Sequence, residues 1–180
     1  KIVALVFISA LMLNINAQGK YLTKTGTITF FSHTVVEDIT AVVENAGSII
    51  DSENGEIIVS LAMTDFDFQK KLMEEHFNEN YVESDKFPKS NFKGSITNNT
   101  DVNYSKKGQY QVTVSGTMTI HGVSNEVTTE GTIDVDASGI VAKTKFMLNP
   151  EDYDIKIPNV VRNKIANDLE ITVDMSYKPM

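Results

Sequence analysis

"YQVTVSGTMTIHGVSNEVTTEGTIDVD", running from Tyr110 to Asp136, is the stretch that decides the fold. Its first part sets Tyr110, Val112, Val114, Met118 and Ile120 against intervening polar residues. Its last part alternates again from Val127 to Val135, with Ile133 and Val135 on the inner face. A period of two marks a β-strand, because successive side chains of a pleated chain point to opposite faces. Two such runs separated by a few residues form an antiparallel hairpin. Gly122 supplies conformational freedom near the bend, and Ser124-Asn125 reads as the turn centre. On this alternation His121 faces away from Met118 and Ile120 and serves to anchor backbone.

Working outward, the same period recurs along the chain. Ile28 and Phe30 share one face of a first strand, and Val35, Ile39, Ala41 and Val43 one face of a second. Gly47 and the Asp51–Gly55 stretch read as turns, followed by Ile57, Val59, Leu61 and Met63. Phe92, Gly94 and Ile96 precede the hairpin; Ile140, Ala142, Phe146 and Leu148, then Leu169 to Tyr177, follow it. Short alternating runs divided by turn residues predict an all-β protein, an eight-stranded antiparallel barrel. Closure into a barrel removes the unpaired edges that an open sheet exposes.

Two segments break the rhythm. In residues 65–82, Phe68, Leu72, Met73 and Phe77 fall at helical spacing opposite Lys70, Lys71, Glu74, Glu75 and Asn78. This predicts one inserted amphipathic helix, capped by Asp65 or Asp67 and ended before Phe87-Pro88. Residues 148–168 are irregular, with a short helix expected over 159–165.

The apolar run Ile2–Leu13 after Lys1, followed by Ala17-Gln18-Gly19, has the pattern of an export signal. Residues 1–18 are therefore expected to be a signal peptide and 19–180 a single domain, periplasmic or secreted, without stable membrane insertion after cleavage. The chain has no cysteine, so neither disulfide nor thiol chemistry is available to it. A net charge of −8 argues against nucleic acid or anionic membrane surfaces as partners.

Three histidines, His33, His76 and His121, are the natural candidates for a metal site. None stands at a ligating spacing, and Glu75 is adjacent to His76 rather than a helical turn away, as a metalloprotease helix requires. No nucleophile elbow and no phosphate loop occur. No catalytic residue, metal or cofactor is assigned, and the expected protein is not an enzyme. The inward set mixes Phe30, Phe92, Met118 and Phe146 with Gly94, Gly116 and Ala142. Such a mixture suits either a packed core or a lumen, since an interior glycine makes room for a ligand or for a neighbouring backbone.

Longer stretches narrow this choice. "LMEEHFNENYVESDKFPKSNFKGSI" (72–96) and the Gly108–Thr128 hairpin resemble the YceI-like family of exported bacterial proteins. Residues 26–51 and 146–174 match as well, so the resemblance covers essentially the whole chain after the export segment. It implies a lipocalin-like barrel with a helix beside it, holding a polyisoprenoid or quinone-like lipid in its lumen. Relatives begin with a histidine-bearing strand of a different pattern, so His33 is not carried over as a headgroup contact. The expected lumen wall comprises Phe30, Val59, Phe92, Ile96, Val114, Met118, Phe146 and Ile171. Met73, Phe77 and Tyr81 are expected to cover one flank, with His76 and Tyr81 near a headgroup. The partner is then an apolar lipid, and an imperfect barrel edge leaves room for a homodimer. The rival readings are a metal-assisted hydrolase, which requires the three histidines to converge, and a ligand-free structural barrel.

Overall fold

The computed structural model describes residues 19–180; the expected export signal lies outside the described residues. Nine strands run in the order β1 (Lys20–His33), β2 (Asp38–Asp51), β3 (Glu56–Ala62), β4 (Asp67–Phe68), β5 (Lys89–Ile96), β6 (Gly108–Ile120), β7 (Val123–Asp136), β8 (Gly139–Leu148) and β9 (Leu169–Pro179), with one helix, α1 (Lys71–His76), between β4 and β5. Every pairing is antiparallel, and β1 pairs with both β9 and β2. Eight strands thus close into a barrel, while the two-residue β4 attaches to β2 alone.

The hairpin of the opening stretch pairs residue for residue from Gly108↔Val135 to Ile120↔Val123. Its turn is His121-Gly122, not Ser124-Asn125, which lie inside β7. Both turn residues have positive φ, +52° and +76°, the backbone that a two-residue hairpin needs to follow the twist of its strands.

β2 is longer than the sequence suggests, because it runs straight through Gly47. Glu44 and Asn45 both face outward, so the inward set changes from Ala41 and Val43 to Ala46, Ser48 and Ile50. That change of parity resembles a strand end. β1 makes the matching change at Lys24-Thr25, and the two bulges flank the Gly26↔Ala46 pair. Gly26 fits closely there: a Cβ would stand 3.0 Å from both the Ala46 carbonyl oxygen and Met175. Val35, expected in β2, instead tips the turn between β1 and β2 and is fully exposed.

The barrel splays toward one end. β2 pairs with β3 only over Gly47–Ile50, and β7 with β8 only over Gly131–Asp136. Each seam is filled by the segment that follows the departing strand. Residues 63–88 fill the first, with β4 pairing to Ala41 and Val42. The turn Pro150–Tyr153 lies along the second, where the Asn125 side chain donates to the Asp152 carbonyl at 2.7 Å. These are the two segments that break the alternation in the sequence.

The expected helix over 65–82 is divided accordingly. A short turn (Met63–Asp65), β4, α1 and a wider π turn (Phe77–Tyr81) succeed one another. Neither Asp65 nor Asp67 caps α1, which begins after Lys70 without a side-chain cap. Residues 159–165 form successive turns rather than a helix.

Candidate functional site: an apolar barrel lumen

The narrow end of the barrel is filled. Ile50, Ile133, Ile140 and Met175 are each at most 2% exposed, and Tyr177 is buried beside them. Tyr177 Oη lies 2.8 Å from Ser48 Oγ, which itself donates to the Ile58 carbonyl. Burial pushes the Tyr177 phenol up to about 12, so it stays neutral and its single polar atom stays satisfied. The connection between β5 and β6 folds across this end. Val102 is buried, Tyr104 stacks on Tyr21 with ring centres 5.8 Å apart, and Asn99 donates to the Ser52 carbonyl.

Above this plug the barrel encloses a cavity of about 600 Å³. Cross-strand register builds its wall in rows: Val59↔Phe92↔Met118 on one side and Phe146↔Ile171↔Phe30 on the other. Ile96↔Val114 forms a deeper row. All eight wall positions expected from the alternation line the cavity, as do Met73, Phe77 and Tyr81 from the α1 segment. The volume lies within the range of roughly 300–1,000 Å³ typical of small-molecule sites.

Gly94 and Gly116 do not enlarge this space. They face each other across β5 and β6. A Cβ on Gly94 would meet the Phe92 ring at 2.6 Å, and one on Gly116 would strike the Gly94 backbone. The glycines let the two strands approach and let Phe92 lie over them.

Sequence reasoning missed part of the wide end. Phe66 and Phe68 join Phe30 and Phe77 in a cluster with ring centres 5.1–5.8 Å apart, in which Phe77 touches the other three. Ile155, Ile157, Val161 and Ile165, from the connection between β8 and β9, also line the cavity. Their signal was present as apolar residues in an aperiodic segment, but without a period no face could be assigned to them.

The polar groups of the mouth are few. Lys70 donates to Glu37 at 2.6 Å, tying the α1 segment to the β1–β2 turn. That bond, with Lys164 nearby, holds the Glu37 carboxyl below its ordinary range. Ser32 Oγ accepts from the Ala166 amide at 2.8 Å, joining the β8–β9 connection to β1. His76 lines the mouth beside them.

The other two histidines stand apart from the cavity wall. His33 Nδ1 lies 2.6 Å from Asp38 on the surface. His121 reaches the Tyr153 carbonyl through Nδ1 and the Glu83 carboxylate through Nε2, both at 3.1 Å. Both partners carry acceptor oxygens. Among the described residues no three His, Cys, Asp or Glu side chains are grouped to hold a metal. The convergence that the hydrolase reading requires is not found.

The sequence matches the family model described as the YceI-like domain over residues 11–177. The chain belongs to the YceI-like family. Solved structures agree with the barrel. A polyisoprenoid-binding domain from Saccharophagus degradans, implicated in plant cell wall breakdown, superposes with a TM-score of 0.79 at 14% identity, covering 91% of this chain and 99% of that one. Burkholderia cenocepacia BcnA gives 0.59 at 13% identity, covering 83% and 94%. A YceI protein from Campylobacter jejuni gives 0.57 at 14%, covering 76% and 81%. Among curated proteins no relative matches. Identities this low establish the shared YceI-like fold. No helix among the described residues is long and apolar enough to cross a membrane.

Proposed function

We propose that this chain is an exported carrier that holds one long apolar lipid, a polyisoprenoid or an isoprenoid quinone, in the barrel lumen. The observation that carries this reading is the continuous cavity of about 600 Å³, walled by aliphatic and aromatic side chains from the strands and the α1 segment. A slender apolar chain suits it, because each buried methylene contributes roughly 0.8 kcal/mol without any polar contact. Two or three isoprene units supply on the order of 10 kcal/mol gross, enough to outlast the loss of free motion on binding. The Saccharophagus degradans neighbour, a polyisoprenoid-binding domain, supports the choice of lipid class. The apolar run Ile2–Leu13 supports export. Phe30, Phe92, Met118, Phe146 and Ile171 are assigned to the lipid chain, Met73, Phe77 and Tyr81 to its upper part, and no residue to catalysis.

Organic extraction of protein purified from its native host, followed by mass spectrometry, tests the reading. A stoichiometric polyprenyl or quinone lipid is expected. Protein that carries no lipid and takes up no added isoprenoid would refute it.

A further inference from the structure

One buried hydroxyl in the lumen has a hydrogen bond to spare. Ser32 follows Ile28 and Phe30 along the inward face of β1 and lines the cavity. It is 1% exposed, and its partner in register, Ile39, lines the cavity as well. Ser32 Oγ accepts from the Ala166 amide at 2.8 Å, but among the described residues nothing accepts the proton of the hydroxyl itself. A serine hydroxyl carries one donor and two acceptor sites, and a buried donor without a partner is costly. A guest that brings an acceptor oxygen to this level of the wall relieves that cost, whereas a plain hydrocarbon does not. A few polar groups of this kind, set in an apolar wall, are what orient a ligand.

Charge narrows the group that carries this oxygen. The segments around the opening, residues 34–37, 63–88 and 149–168, contain twelve Asp and Glu against six Lys and Arg, so the mouth holds most of the chain's net charge of −8. Lys70 and Lys164 line the cavity, but both lie close to Glu37: Lys70 donates to it at 2.6 Å, and Lys164 stands near the same carboxylate. An anion brought to either lysine would sit beside Glu37, inside an acidic rim that repels it. We propose that the guest carries an uncharged headgroup, a quinone carbonyl or an alcohol, that Ser32 donates to its oxygen, and that the mouth excludes prenyl phosphates. The proposal rests on the lumen being a lipid site and adds the headgroup class and the residue that reads it. Because the far end is plugged by Ile50, Ile133, Ile140 and Met175, the chain enters tail first and its headgroup stays at the mouth.

Displacement of a soluble apolar fluorophore from the lumen of the full chain tests this. The competitors are geranylgeraniol, the menaquinone with the same geranylgeranyl chain, geranylgeranyl phosphate, and phytane, a hydrocarbon of that length without a headgroup. The quinone and the alcohol should displace the fluorophore at concentrations about tenfold or more below the phosphate. Ser32→Ala should weaken the quinone and the alcohol about fivefold and leave phytane unchanged. Ser32→Cys, which keeps the size of the side chain but donates only weakly, should act in the same direction. Glu37→Gln releases Lys70 and Lys164, so it should tighten the phosphate about fivefold or more without moving the quinone. A phosphate that binds as tightly as the quinone overturns the proposal. An equal loss for phytane and the quinone in the Ser32 variants overturns it too, since Ser32 would then act only as an anchor for Ala166. Either result leaves the carrier reading standing, whereas no displacement by any of the four competitors refutes that reading and this proposal with it.

Discussion

His121 shows how much of this structure depends on single residues in unusual backbone. Among the described residues, the only non-glycine positions with positive φ are Glu83, His121 and Asp154. They meet at one place, because the His121 ring spans from the Glu83 carboxylate to the carbonyl of Tyr153, next to Asp154. Such backbone is costly and persists where surrounding contacts hold it. The ring supplies those contacts, fastening both seam-filling segments to the β6–β7 hairpin. His121→Ala should therefore lower stability by about 1–2 kcal/mol in denaturant melts, as expected for two lost, part-buried hydrogen bonds. Apolar-probe affinity should not change. Loss of affinity at full stability would place His121 in the ligand site instead. The anchoring role was legible from alternation, because His121 falls on the face opposite Met118. The turn itself was misplaced by three residues: Ser124-Asn125 has better turn composition, but the register puts positive φ at His121 and Gly122.

At the scale of the element, the stretch from Met63 to Tyr81 explains why one helix was expected. Phe68, Leu72, Met73 and Phe77 have helical spacing, but Phe68 belongs to β4 and Leu72 stands largely exposed at the rim of the cavity. Tertiary pairing of β4 with β2 overrides the periodicity, since filling the seam requires backbone hydrogen bonds as well as side chains. Phe77 carries the packing: Phe77→Ala should cost about 3 kcal/mol, whereas Leu72→Ala should be nearly neutral, a contrast that thermal melts can check. The Lys70–Glu37 bond makes the mouth sensitive to acid. The Glu37 carboxyl lies below its ordinary value of 4.5 in the folded chain, so the bond contributes fully above that value. Its contribution falls as pH drops through 4.5 and is gone below the lowered folded value. Near neutral pH, Glu37→Gln should speed probe entry relative to wild type. The difference should close as the solution is acidified, and a pH-independent difference would assign the effect elsewhere.

The whole molecule was legible where one rule governed it. A barrel wall with a buried inside and a wet outside imposes a period of two, and the wall positions chosen on that rule line the cavity. The rule fails at the paired bulges, where β1 and β2 change parity together, and in the irregular seam fillers that complete the mouth. The identity of a guest has no comparable imprint, because an apolar chain demands only volume and apolar walls. Occupying that volume gives a test at this scale. Ala142, small and inward between Ile133 and Met175 in register, lines the lower cavity. Ala142→Phe should weaken probe binding by about tenfold or more, equivalent to ~1.4 kcal/mol, without lowering the melting temperature. Unchanged binding would show that the probe sits elsewhere.

The plug of Ile50, Ile133, Ile140 and Met175 makes the cavity blind, with a kinetic consequence. A guest that can leave only by the route it entered crosses one barrier in both directions. Changes at the mouth that touch only that barrier then scale association and dissociation rates by the same factor. Residence time is set at the mouth and affinity along the wall, so the two can drift independently.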